Sequence, residues 1–308
     1  MLKSITITNY LGNSATYRIQ GADPDDGSGL LITEITGLGP TKADINMTEL
    51  ATADGGIFNS ARASSRNIVI KAKFTNAKTI EEARLASYKF FPIKKKVIFH
   101  IETDNRIAET EGYVESNDPV IFSDSCEMQV SILCESPYFL SVSEEGKKET
   151  TFAGIDFLFE FPFENDSLQE PLLEFGNIVN KKENTVYYDG DAETGCIINI
   201  HAVGQANKIT IYNIKTREIM YLDTDKLQSL ELGTAFEYGD DITINTIKGQ
   251  KSITLLRNGV TYNILNILGK DADWFQLAKG DNLFTFVAEY GETNLQFKIY
   301  SQVVYEGV

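Results

Sequence analysis

Lys251-Ser252-Ile253-Thr254-Leu255-Leu256-Arg257-Asn258-Gly259-Val260 is the stretch that decides the fold. Polar and apolar side chains alternate from Ser252 to Leu255, as they do on a strand with one buried face. Asn258-Gly259 follows, the dipeptide best suited to a two-residue hairpin turn because both residues tolerate positive φ. The same signature recurs on either side. Gly195–Ile200, Lys208–Tyr212 and Asp241–Asn245 precede it, and Asn282–Ala288 and Leu295–Tyr300 follow. Many short strands separated by turn signals predict a β-sandwich for the second half.

Further out, the first half reads as strands around one helix. Ser4–Thr8, Tyr17–Ile19, Leu30–Ile35, Ser65–Phe74 and Cys126–Cys134 are strand candidates. Lys95–Ile101 and Arg106–Val114 form a predicted hairpin around Asp104-Asn105. Thr79 is placed to cap a helix, with Glu81 and Glu82 in its first turn, an apolar stripe of Ala83, Leu85, Ala86 and Phe90, and Pro92 as its stop. Residues 39–60 lack regular patterning and form a long excursion. Within it Met47, Leu50, Ile57 and Phe58 favour burial against something, either as an assembly arm or as a loop folded on its own subunit. Ser136-Pro137 breaks the last strand, and Glu144–Glu149 is charged and linker-like. The expected domains are therefore 1–140 and 141–308.

With 308 residues, two domains are the natural expectation. The net charge of −16 argues against a surface built to neutralise phosphates. Residues 1–140 hold 14 basic and 18 acidic side chains, a net of −4, and the remainder holds 14 and 26, a net of −12. The N-terminus lacks the apolar core of a signal peptide, and no apolar run is long enough to span a bilayer. Synthesis in the cytosol, with no membrane partner, is expected. Three cysteines, Cys126, Cys134 and Cys196, form no CxxC pair, which disfavours a disulfide framework or a zinc site.

No catalytic constellation emerges, so the chain is read as a non-enzyme without cofactor or metal. The two histidines, His100 and His201, sit in strand-like sequence and are read as structural. Asp23-Pro24-Asp25-Asp26-Gly27 reads as a solvated acidic turn rather than a cation loop. Phe157, Phe159, Phe161 and Phe163 alternate at period two after Phe152, as a core or interface strand, a docking segment or the face of a sugar-binding groove. Trp274-Phe275 either anchors the sandwich core or stacks on a sugar ring.

The run Trp274-Phe275-Gln276-Leu277-Ala278-Lys279-Gly280-Asp281-Asn282-Leu283-Phe284, the ending Val304-Tyr305-Glu306-Gly307-Val308, and the junction Glu135-Ser136-Pro137-Tyr138-Phe139 together resemble the distal tail proteins of long-tailed phages of Gram-positive bacteria. The order of strands, helix, junction and second β domain is similar too. That resemblance implies a mainly β protein with an N-terminal β-sandwich-like belt domain carrying one helix and a C-terminal galectin-like or carbohydrate-module-like β-sandwich. It implies a homo-hexameric ring in the virion, at the distal end of the tail. The ring would join the tail tube protein to the tail-associated tip protein, hold a receptor-binding protein in some relatives, and pass DNA on ejection. It assigns Pro137, Tyr138, Trp274, Leu277, Gly280, Asn282, Phe284 and Gly307 to the fold and its junction. The rival readings are an outward carbohydrate-binding module for host attachment and the equivalent adaptor of a contractile tail or tailocin.

Overall fold

The computed structural model describes residues 2–18, 30–50, 54–74, 79–120, 127–157, 176–181 and 183–308. The acidic turn at Asp23–Gly27, Cys126, and Phe159, Phe161 and Phe163 lie outside them. The chain divides into two compact units, Met1–Ser143 with Val304–Val308, and Glu144–Val303. The chain thus leaves the first unit near residue 143 and returns to it for its last five residues, where a single boundary at 140 was expected.

The first unit contains β1 (Leu2–Asn9), β2 (Ser14–Arg18), β3 (Leu30–Thr36), β4 (Ala43–Glu49), β5 (Gly56–Ala63), β6 (Arg66–Phe74), α1 (Ile80–Phe90), β7 (Lys96–Thr103), β8 (Ile107–Pro119), β9 (Glu127–Cys134) and β10 (Phe139–Ser141). Seven of these strands run in the order β2-β1-β7-β8-β9-β6-β3 through one antiparallel sheet, which β10 joins by pairing with β8. Its end strands β2 and β3 come together, so the sheet curls into a nearly closed barrel rather than two separate layers. Ile5, Ile7, Ile68, Ile70, Phe99, Val130 and Ile132 fill it, each the inward member of an alternating strand.

The helix begins where its sequence directs, with the Thr79 hydroxyl accepting from the Glu82 amide at 3.2 Å. Its buried face is Ala83 and Ser87, while Leu85, expected on the apolar stripe, is exposed. Small residues let the helix approach the sheet closely, and Asn117 ties it there by donating to the Ser87 and Phe91 carbonyls.

The second unit holds β11 (Lys147–Phe157), β12 (Gly176–Asn180), β13 (Glu183–Tyr188), β14 (Ile197–Ala202), β15 (Asn207–Asn213), β16 (Glu218–Leu222), β17 (Asp241–Asn245), β18 (Ser252–Arg257), β19 (Val260–Asn263), β20 (Gly280–Tyr290) and β21 (Leu295–Gln302). Seven strands make one sheet, β12-β11-β21-β14-β17-β18-β19, and four make another, β13-β20-β15-β16. Rings from both sheets meet in the core: Phe286 stacks on Phe297 at 4.8 Å, and Phe152 meets Phe297 edge-on at 5.4 Å. Asn258-Gly259 turns β18 into β19, both residues at positive φ. The last five residues supply β22 (Val304–Tyr305), which pairs with β10 in the first unit.

Candidate functional site

The excursion at residues 39–60 is a regular hairpin. Among the described strands β4 and β5 pair only with each other, as a two-stranded sheet outside the barrel. Two things hid it from the sequence reading. It has no buried face to sharpen its alternation, and a bulge at Asn59 breaks its period between Asn46↔Ser60 and Met47↔Phe58. The Asn59 amide donates to the Thr48 hydroxyl at 2.7 Å across the break. The hairpin is exposed along its described length, Met47 at 57%, Ile57 at 53%, Phe58 at 60% and Leu50 at 47%. Ile45, Met47 and Phe58 share one face. An isolated two-stranded hairpin is marginal in water, and exposed apolar edges invite pairing or docking. The alternative of a loop folded on its own subunit does not describe these side chains.

The root of the hairpin is built in the opposite manner. Arg66, which opens β6, is 1% exposed. Its guanidinium donates to four backbone carbonyls: Gly37 at 2.5 Å, Gly39 at 2.6 Å, Pro137 at 2.6 Å and Glu306 at 2.6 Å. It also lies over the Phe139 ring at 4.1 Å. Burial lowers its pKa from the ordinary arginine value, but a guanidinium remains charged over the physiological range. Beside it Arg106 donates to the Gly307 carbonyl at 2.6 Å and covers the Tyr305 ring at 4.3 Å. The Val308 amide bonds the Leu38 carbonyl at 3.1 Å. Gly37 has φ +89°, and a Cβ there would come within 2.1 Å of the Asn67 carbonyl oxygen.

This node brings together Pro137 and Gly307, named from sequence as separate motif residues, and sets Tyr138 beside them on a turn whose amide bonds the Ser136 hydroxyl at 3.1 Å. Sequence reading missed Arg66 itself. Its partners are carbonyls, which every residue carries, so only its position opening a strand in apolar company marked it.

In the second unit, Leu277, Asn282 and Phe284 are fully buried. The Asn282 side chain accepts from the Ala278 amide at 3.0 Å and donates to the carbonyls of Ala278 at 2.7 Å and Gly280 at 3.0 Å. It therefore closes the turn that Gly280, at φ +90°, makes possible. The core position offered to Trp274 belongs to its neighbour: Phe275 is fully buried and meets Phe284 edge-on at 5.4 Å. Trp274 is half-buried with the Lys251 ammonium 5.1 Å from its ring centre.

The histidines are cross-strand partners of acids. His100 Nδ1 lies 3.0 Å from Glu109, and His201 Nδ1 lies 2.6 Å from Asp241. Cys134 and Cys196 are buried free thiols, and burial pushes the Cys196 thiol up to about 12. Among the described residues no cluster of His, Cys, Asp and Glu is arranged to hold a metal ion.

Residues 189–299 match the family model described as siphovirus-type tail component, C-terminal domain. No curated protein matches the chain by sequence. The crystal structure of SPP1 Dit, described as a paradigm of the hub adsorption apparatus in phages infecting Gram-positive bacteria, is similar over 97% of this chain and 98% of its own. Its TM-score is 0.64 at 11% identity, a likeness of fold. A chain of the phage P2 baseplate, in its activated conformation with Ca, aligns over 98% of both chains with a TM-score of 0.44 and 10% identity.

Proposed function

We propose that this chain, which belongs to the siphovirus-type tail component family through residues 189–299, is the structural hub subunit at the distal end of a phage tail. Six copies close a ring that joins the tail tube to the tip proteins and leaves a central passage for DNA. The first unit is the belt of that ring, and the second is a galectin-like outer domain. The role is one of assembly, not of catalysis.

One observation carries this reading: a hairpin with Ile45, Met47 and Phe58 on one exposed face, fixed to the barrel by a buried arginine. A ring of identical subunits needs heterologous contacts, in which each copy offers one surface and receives another. An apolar arm mounted on a rigid root is suited to be offered. The chain's net charge of −16 suits a component that must not grip the duplex in transit. Trp274, the stacking residue of the carbohydrate-binding alternative, has the Lys251 side chain on its ring, which gives that alternative less support.

Light scattering behind size exclusion tests the proposal. The expected mass is six times that of the 34.3 kDa chain, with rings and a central hole in electron micrographs. A monomer at every concentration that instead binds host cell-wall polysaccharide overturns the hub and favours the sugar-binding module.

A further inference from the structure

The first unit carries a second exposed apolar feature. Tyr10 and Leu11, on the turn after β1, and Ala86, Tyr88, Phe90 and Pro92, from the end of α1 onward, line an open groove. Leu11 is 63% exposed and Tyr88 46%. The groove is held open by polar ties beneath it: the Asn9 side chain accepts from the Leu11 and Asn13 amides, each at 3.0 Å, and donates to the Phe90 carbonyl at 3.4 Å. Such a patch on a monomer marks a place for a partner.

Its position and charge point to one occupant. Four antiparallel pairings lead from β1 through β7, β8 and β9 to β6, so β1 and β6 run in the same direction. The groove lies where β1 ends, and the hairpin leaves where β6 begins. The two features therefore stand on opposite rims and on opposite sides of the barrel, four strands apart one way round and three the other, at about 4.8 Å per strand. Lys89 lines the groove and Lys95 lies over the Tyr10 ring at 5.5 Å, with exposed Lys94 next to it in the chain and no acidic residue from 83 to 101. The outer part of the hairpin, residues 46–59, carries Glu49 and Asp54 and no basic residue.

We infer that the β4–β5 hairpin of one copy docks in the Tyr10–Tyr88 groove of the next, its Met47–Phe58 face on the apolar floor and its acids against the lysine rim. Opposite rims make the contact heterologous, as ring closure requires. This inference rests on the hub reading and names the surface that receives the arm.

A charge-swap pair tests it. The groove variant is Lys89→Glu with Lys94→Glu and Lys95→Glu; the arm variant is Glu49→Lys with Asp54→Lys. All five side chains are exposed, so each variant is expected to melt as the parent does. Alone, each sets like charges across the contact and is expected to run as a monomer. Mixed in equal amounts, they are expected to form alternating rings of parental mass, because each arm meets a groove of opposite charge. Parental rings from either variant alone, or folded variants that stay monomeric when mixed, overturn the inference.

A second measurement separates this surface from the ring itself. Leu11→Cys with Phe58→Cys, in a Cys126→Ser background, is expected to give a covalent ladder up to the full ring on oxidation. An assembled parental ring whose cysteine variant yields no ladder overturns the groove and leaves the hub standing. A parental chain that never assembles overturns both.

Discussion

The root of the hairpin and its blades obey opposite rules. At the root, a buried guanidinium collects carbonyls from Gly37, Gly39, Pro137 and Glu306, segments far apart in the chain. On the blades, Ile45, Met47, Ile57 and Phe58 are mostly exposed, and β4 and β5 pair with no other described strand. The chain commits a costly buried charge to fixing an element that it does not itself cover. A surface loop with no partner would need no such mount. The contrast separates residues that hold the first unit together from residues that hold copies together.

That separation predicts where substitutions act. Arg66→Met should have the largest effect on stability. It takes the buried guanidinium from four backbone carbonyls and removes the cation over Phe139, a loss of about 3–5 kcal/mol. A denaturant titration reporting less than 1 kcal/mol would place the node among dispensable contacts.

Removing residues 304–308 should cost less, about 2–3 kcal/mol, from the lost packing of Val304 and Tyr305 and the lost bonds to Arg66 and Arg106. Hydrogen exchange should then quicken at Gly37 and Gly39 while the second unit keeps its protection. Equal quickening in both units would contradict the assignment of these residues to the first unit alone.

Met47→Ser with Phe58→Ser should leave monomer stability within about 0.5 kcal/mol, since neither side chain is packed, yet abolish the ring. A variant that unfolds instead would mean that the blades are covered by their own chain.

The smallest effect concerns the thiols. Cys196 is buried with its pKa raised to about 12 by desolvation, and in the folded chain it should resist a thiol reagent at pH 8 that modifies it rapidly in denaturant. The thiolate is the reactive form, and raising the folded pKa removes it from the native state. Fast labelling in the native state would show that the second unit opens readily.

Much of this was legible in the residues. The β7–β8 hairpin, the Thr79 cap and the Asn258-Gly259 turn follow from local rules that neighbours in sequence satisfy among themselves. The Gly280-Asp281-Asn282 turn does too, since Asn282 closes on carbonyls two and four residues away. The arm's residues were readable as apolar and restless, but not its regular shape, because a hairpin exposed on both faces carries no pattern of burial to read. Trp274 and Phe275 were readable as a pair, but which ring turns inward was not.

The sequence by itself determined that the chain is mainly β in two parts, with one capped helix, an acidic second half and turns at set places. These depend on period, propensity and charge, all local quantities. Only the tertiary structure decided that the barrel nearly closes, that residues 304–308 return to the first unit, and that Arg66 bonds a carbonyl 240 positions away. The physical reason is the same for all three. Backbone carbonyls and sheet edges are identical at every residue, so which of them meet is settled by the path of the folded chain and not by the letters along it.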